Sequence, residues 1–308
     1  MSSRTLLNLA LLAVVGALIV LAVYEPGIEA PPPTPALTSV DPAGITRLRV
    51  ERPNQPTVRL EKTASGWRML EPYALAANAY RARALLGVAG AASHWQRPSG
   101  DLDLARFSLD KPKASLYLDD IRIDFGGTES LTGRRYVRLG ETIHLITDRV
   151  FHHLLANAAN FVDYHLLAPG SEPVAITLPD RRLLRRHGVW ALEPEDPGVG
   201  ADALAQTVNA WRQAQAIEVR PLENGKSGQD VSVELAGADA PIHFRVRETE
   251  SQVILGRPDV GVQYHFTPGG AASLLKLAGP ESDDEAPPPP PPRDPPASST
   301  GVPAENRP

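Results

Sequence analysis

The first pattern along the chain is an unbroken apolar block. Leu6 to Tyr24 carries no charge, and only Asn8 and Gly16 depart from strongly apolar character. As a helix rising about 1.5 Å per residue it extends roughly 28 Å, which matches the hydrocarbon core of a bilayer. From residue 45 the pattern changes to short apolar/polar alternations of period two, which predict strands with one buried face. Ile45 to Glu51 sets Leu48 and Val50 on one side, Thr57 to Lys62 does so with Val58 and Leu60, and Trp67 to Leu70 follows. The turns between them, Arg52 to Pro56 and Thr63 to Gly66, are rich in breakers. An alanine-rich helix comes next, capped by Asn78 and carrying Leu85, Val88 and Ala92 on one stripe. Ser115 to Asp119 and Ile121 to Phe125 then alternate around Asp119-Asp120 as a hairpin does. A second pair, Tyr136 to Leu139 and Thr142 to Ile146, turns at Gly140-Glu141, and a helix from about Asp148 to Asn160 closes the stretch.

The same order then returns. Val174, Ile176 and Leu178 lead through Leu183-Leu184 to Trp190, Leu192, Glu193 and Pro194, beside the earlier Trp67, Leu70, Glu71 and Pro72. The Trp-to-Leu spacing differs by one residue, so the register there stays open. A helix capped by Asp202 presents Leu204, Val208 and Trp211 at i, i+4 and i+7. Val231, Val233 and Leu235 alternate, then Ile242, Phe244 and Val246, then Val262, Tyr264 and Phe266. Thr147 precedes Leu154-Leu155 by the interval that separates Thr267 from Leu274-Leu275. The repetition predicts an internal duplication and an α+β fold of two similar lobes, over 43–168 and 169–280. Each is expected to be a mainly antiparallel sheet with covering helices, and the chain adds an N-terminal transmembrane helix.

The flanks fix the expected topology. Residues 1–5 with Arg4 precede the span over 6–24, and Glu25 and Glu29 follow it. The positive-inside bias therefore puts the N-terminus in the cytoplasm and the folded part outside, at the cytoplasmic (inner) membrane of a cell envelope. A cleaved signal peptide is the alternative, but its apolar region runs about 7 to 15 residues. The nearest small-x-small candidate, Ile28-Glu29-Ala30, has Ile at its first position and Pro31 directly behind it. Residues 25–42, with six prolines, read as a semi-rigid stalk, and 281–308, acidic and then proline-rich, as a disordered tail.

Composition narrows the chemistry. With 42% hydrophobic residues in 308, the chain can bury its own cores without staples. It has no cysteine, which excludes disulfides, thiol nucleophiles and lipid attachment through a thiol. A net charge of -5 offers no positive field to gather nucleic acid. His152-His153 invite a metal reading, yet adjacent helical residues point about 100° apart and no His-Glu-x-x-His occurs. His243 and His265 fall on the polar phase of their strands and read as solvent-facing. No Gly-x-Ser-x-Gly is present, and Gly126-Gly127, Gly198-Val199-Gly200 and Gly269-Gly270 read as turns. Asp119-Asp120 and Asp101/Asp103 fall in turns, where bonding to the backbone explains them; a carboxylate pair acting at a distance stays open. Metal, cofactor and catalytic residues are therefore expected to be none. Of two basic clusters, Arg181-Arg182 with Arg185-Arg186 reads as a charged strand edge. The other, Arg134, Arg135 and Tyr136 at a loop end, is the candidate interaction surface.

Several phrases also resemble a known family. Arg4-Thr5-Leu6-Leu7-Asn8, Leu102-Asp103-Leu104-Ala105-Arg106-Phe107-Ser108-Leu109, Phe125-Gly126-Gly127-Thr128 through Arg134-Arg135-Tyr136-Val137, and Asn160-Phe161-Val162-Asp163 are similar to the bacterial domain-of-unknown-function family 4340. The resemblance covers roughly residues 45–277 and supplies no catalytic residue. It implies a single-span envelope protein, with an accessory role beside ABC transporter components. The expectation is thus a membrane-anchored, non-enzymatic interaction protein whose partners are the lipid bilayer and an envelope protein. The alternatives are a periplasmic binder of a ligand or glycan in an inter-lobe cleft, and an envelope hydrolase.

Overall fold

The computed structural model describes residues 3–24, 34–100, 102–223 and 228–277. The expected stalk is described only from residue 34, and the expected tail lies outside the described residues. Helix α1, Ser3–Tyr24, contains a 19-residue stretch, Ser3–Leu21, of mean hydropathy 2.2 with none of it buried. It is long and apolar enough to cross a membrane. The chain divides into two compact units, Met1–Phe161 and Val162–Pro308, where the sequence alone suggests a boundary after Ala168.

The first unit runs β1 (Arg47–Glu51), β2 (Val58–Thr63), β3 (Gly66–Glu71), α2 (Ala79–Leu86), β4 (Ser93–Pro98), β5 (Ala114–Leu118), β6 (Ile121–Thr128), β7 (Arg135–Leu139), β8 (Thr142–Ile146) and α3 (Phe151–Leu154). Its strands form one antiparallel eight-stranded sheet in the order β3-β2-β1-β5-β6-β7-β8-β4. Register explains the core. Leu48 lies opposite both Leu60 and Leu118, Val50 opposite Val58 and Leu116, Leu116 opposite Ile123, and Phe125 opposite Val137. All of these are buried, so one face is apolar across five strands. The other face pairs Ser115 with Asp124, Tyr117 with Arg122 and Asp124 with Arg138.

The second unit runs β9 (Pro173–Thr177), β10 (Arg182–Arg186), β11 (Val189–Glu193), α4 (Ala201–Gln213), β12 (Glu218–Pro221), β13 (Gln229–Leu235), β14 (Ile242–Glu248), β15 (Val253–Arg257), β16 (Val262–Phe266) and α5 (Pro268–Leu275). Its sheet, also antiparallel, has the order β11-β10-β9-β13-β14-β15-β16-β12, the first order with every strand number raised by eight. Leu204, Val208 and Trp211 of α4 are buried. The Trp211 ring lies 5.6 Å from that of Phe244, and its Nε1 donates to the Leu274 carbonyl of α5 at 2.9 Å.

Several expectations are corrected. The closing helix over 148–160 breaks into α3 and a 3-10 turn at Ala158–Phe161. The Ala156 carbonyl is taken by the Arg52 guanidinium, and the Asn157 side chain accepts from Ala159 N, so the helical ladder stops there. Helix α4 begins at Ala201 with Gly200 at its cap, so Asp202 lies in the first turn. Strands β4, β12 and β15 have no counterpart among the expected elements, and Gly126-Gly127 lies inside β6 rather than in a turn. A Cβ on Gly126 would stand 2.3 Å from the Phe107 carbonyl oxygen and 2.9 Å from Leu109, so only glycine lets that loop close on the strand.

Candidate functional site

Beside α2 the first unit holds a cavity of about 610 Å³. The sequence builds its walls from small residues: Ala84, Gly87, Gly90, Ala91 and Ala92 leave room where longer side chains would fill it, and a Cβ at Gly90 would meet nothing within 4 Å. Its apolar lining is Val88, Phe125, Ile146 and Val150, and its polar rim is Arg83, His94, Asp148, Arg149 and His153. Asp148 is already committed. It accepts from Arg135 at 2.7 Å and from Phe151 N at 3.1 Å. The side chains of Arg83 and Arg149 make no hydrogen bond or ion pair among the described residues, so the rim carries excess positive charge.

Two imidazoles belong to this wall. The His153 ring is buried, edge-on to Tyr80 and 3.2 Å from Arg81, and burial, then the neighbouring His152 and Arg81, hold its pKa below the usual value. It is therefore neutral at pH 7. His94 Nε2 meets Thr147 Oγ1 at 3.0 Å, but no carboxylate orients the other ring nitrogen among the described residues, so the pair lacks the third member of a nucleophilic triad. A second hydroxyl–imidazole pair, Ser93 Oγ with His144 Nδ1 at 2.9 Å, is shut inside the sheet.

Arg134, Arg135 and Tyr136 do not form one surface, because successive strand residues point to opposite faces. Arg135 turns to the apolar face and is only 7% exposed. Its guanidinium bonds Asp148 and the Gly126 carbonyl (2.6 Å) and lies 3.5 Å over the Phe151 ring, beneath the cavity. It is a structural strut and not a contact residue. Tyr136 turns the other way, edge-on to Phe107 at 4.8 Å and Trp95 at 6.4 Å, in a shallow hollow with Arg97, Glu129 and Thr132. Arg134 stays half-buried in the preceding loop, which Glu129 pins by accepting from Leu131 N, Thr132 N and Thr132 Oγ1.

The remaining candidates resolve into structure. His153 is buried and His152 exposed, their rings 3.9 Å apart, and no cluster of three or more His, Asp or Glu suited to a metal occurs among the described residues. His265 is not solvent-facing. At 2% exposure it bonds Gln252 and Gln263, and burial, then Arg220, lower its pKa. His243 is exposed. Arg181, Arg182 and Arg186 pair with Asp180, Glu234 and Glu193, and Arg185 donates to the Gly188 carbonyl. Asp119 accepts from Thr46 N, Thr46 Oγ1 and Arg47 N, and Asp103 from Ala105 N, while Asp101 lies outside the described residues.

Arg83, His94 and Arg149 went unnoticed in the sequence. A partial signal was present for Arg83 and His94, since residues 72–100 contain no Asp or Glu; Arg149 directly follows Asp148, and only the fold shows that this acid is taken by Arg135.

A family model described as a domain of unknown function, DUF4340, matches residues 67–222, from β3 through β12 and so across parts of both units. No curated protein and no solved structure matches the chain.

Proposed function

The chain belongs to the DUF4340 family, and from that premise we propose that it is a single-span protein of the cell envelope that works by binding rather than by catalysis. The observation that carries this reading is α1, whose apolar stretch is long enough to cross a membrane and is left fully unburied by the described residues. Arg4 before it and Glu25 and Glu29 after it favour an N-terminus in the cytoplasm and both β units outside. The cavity, with cations over an apolar floor and no oriented nucleophile among the described residues, is suited to holding a ligand. Interaction with an envelope partner, in the accessory role beside a transporter that the family resemblance implies, completes the reading.

The two units are further proposed to descend from one by duplication. Support comes from the shared strand order and from Thr147 and Thr267, each of which directly follows the last strand of its sheet.

Cell fractionation with protease accessibility on intact spheroplasts tests the tethered reading. The full chain is expected in the membrane fraction and to be digested from the outer side. Recovery in the soluble fraction, with the mature chain starting beyond residue 24, overturns it. Mild solubilisation and co-purification test the interaction role, which a chain that repeatedly emerges with no stoichiometric partner contradicts.

A further inference from the structure

The cavity of the first unit adjoins the place where the chain arrives from α1. Ser93 N donates to the Pro35 carbonyl at 2.8 Å, Leu37 N to the Ala91 carbonyl at 2.7 Å, and Thr38 N and Oγ1 to the Ala89 carbonyl at 3.0 and 2.9 Å, with an antiparallel bridge between Ala36 and Ala92. The incoming segment is therefore stitched to residues 89–93, three of which, Gly90, Ala91 and Ala92, line the cavity. From Tyr24 to Pro35 the chain spans at most roughly 40 Å even fully extended. If α1 lies in a bilayer, the cavity wall is held that close to its surface.

We propose that this cavity seats an anionic phospholipid of the bilayer that holds α1, its phosphate ester at Arg83 and Arg149 and part of an acyl chain over Val88, Phe125, Ile146 and Val150. The assignment rests on the tethered reading above. Charge complementarity selects the head group. Arg83 and Arg149 have no acid of their own, the one lining acid is neutralised by Arg135, and guanidinium grips phosphate by paired N–H bonds. A zwitterionic lipid also presents a phosphate, but its ammonium cancels that charge and leaves nothing net to balance two cations. The apolar lining favours a ligand with a hydrocarbon part over a bare anion: Val88, Phe125 and Ile146 present a buried apolar wall and Val150 stays half-exposed beside it. The unfilled space at Gly90 provides room for the chain.

The test uses the full chain reconstituted into phosphatidylcholine vesicles containing phosphatidylglycerol with a photoreactive acyl chain. After illumination, the labelled peptides are mapped by mass spectrometry. Label is expected on α1 and on the peptides that bear residues 83–94 and 146–153. Arg83→Gln with Arg149→Gln is expected to lower the cavity label about tenfold while α1 labelling is unchanged. Gly90→Leu, which introduces a side chain into open space, is expected to lower it similarly with the circular dichroism spectrum retained. Cavity peptides that stay unlabelled while α1 is labelled overturn the proposal and leave the tether standing. Equal labelling by a phosphatidylcholine probe overturns the choice of head group. Inorganic phosphate that shields both arginines from phenylglyoxal in delipidated protein, with no lipid label in vesicles, assigns the cavity to a soluble anion and overturns it too. An unlabelled α1 removes the tethered reading itself.

Discussion

At the residue scale, Asp124 of β6 shows how a charge is kept inside a sheet. Burial raises its pKa, but hydrogen bonds from Ser115 (2.6 Å), Arg138 (2.8 Å) and Arg122 (2.8 Å) outweigh that and hold it below the usual range. Asp124→Asn strands two guanidiniums around a neutral amide. Because Arg122 is half-exposed and Arg138 partly so, solvent answers part of their charge, and the expected loss is about 1–2 kcal/mol of unfolding free energy, read from urea titrations with an unchanged slope. His265 of β16 titrates in the opposite sense. Its folded pKa lies below the ordinary 6.5, through burial first and Arg220 second, opposed by Glu218 and Glu223. The unfolded chain therefore takes up the proton first. The stability His265 confers is present above pH 6.5 and declines as pH falls from there towards the folded value. His265→Gln is expected to flatten that part of a stability-against-pH curve, and a curve of unchanged slope contradicts the assignment. Neither residue was legible in the sequence, where both fall on the polar phase of a strand. Alternation says which face a side chain takes, and not whether a loop covers that face.

At the element scale, alternation and capping carry most of the information. The strands around Leu48, Val58, Leu116, Ile123, Val137 and Val233 were readable because one face of each is apolar and the other is not. Asn78 accepts from Arg81 N and Thr267 from Gly270 N, so the helix starts at α2 and α5 were written in the chain. The signal failed where the period was missing. All five residues of β15 are buried, and Ser93-His94-Trp95-Gln96-Arg97-Pro98 of β4 has too few apolar positions to alternate. The closing helix is shorter than its pattern predicts because the Arg52 contact that ends it comes from far away in sequence. In α4, Trp211 joins helix to sheet and to α5. Trp211→Phe removes the bond to the Leu274 carbonyl and leaves that oxygen buried, for an expected loss of about 1–3 kcal/mol. A change of under a few tenths in the same urea measurement would show that the carbonyl finds another donor.

At the scale of the whole molecule, each sheet is complete within its own unit. Residues 34–161 and 162–277, produced separately, are therefore each expected to unfold in one cooperative transition; a half that lacks cooperative melting would show that its core needs the other. The repeated order of short patterns was readable, whereas the candidate cavity was not, because its walls come from α2, β4 and the segment after β8 and meet only in three dimensions. The strand order has a consequence for biosynthesis. β4 ends at Pro98, yet its neighbour β8 begins only at Thr142, and β12 waits likewise from Pro221 to Val262 for β16. A chain emerging from a ribosome or a translocon thus exposes one unpaired strand per unit until the last hairpin arrives, and interruption inside either interval leaves a sticky edge. Nascent forms stalled between those strands should be the ones that holdase chaperones capture and proteases clear.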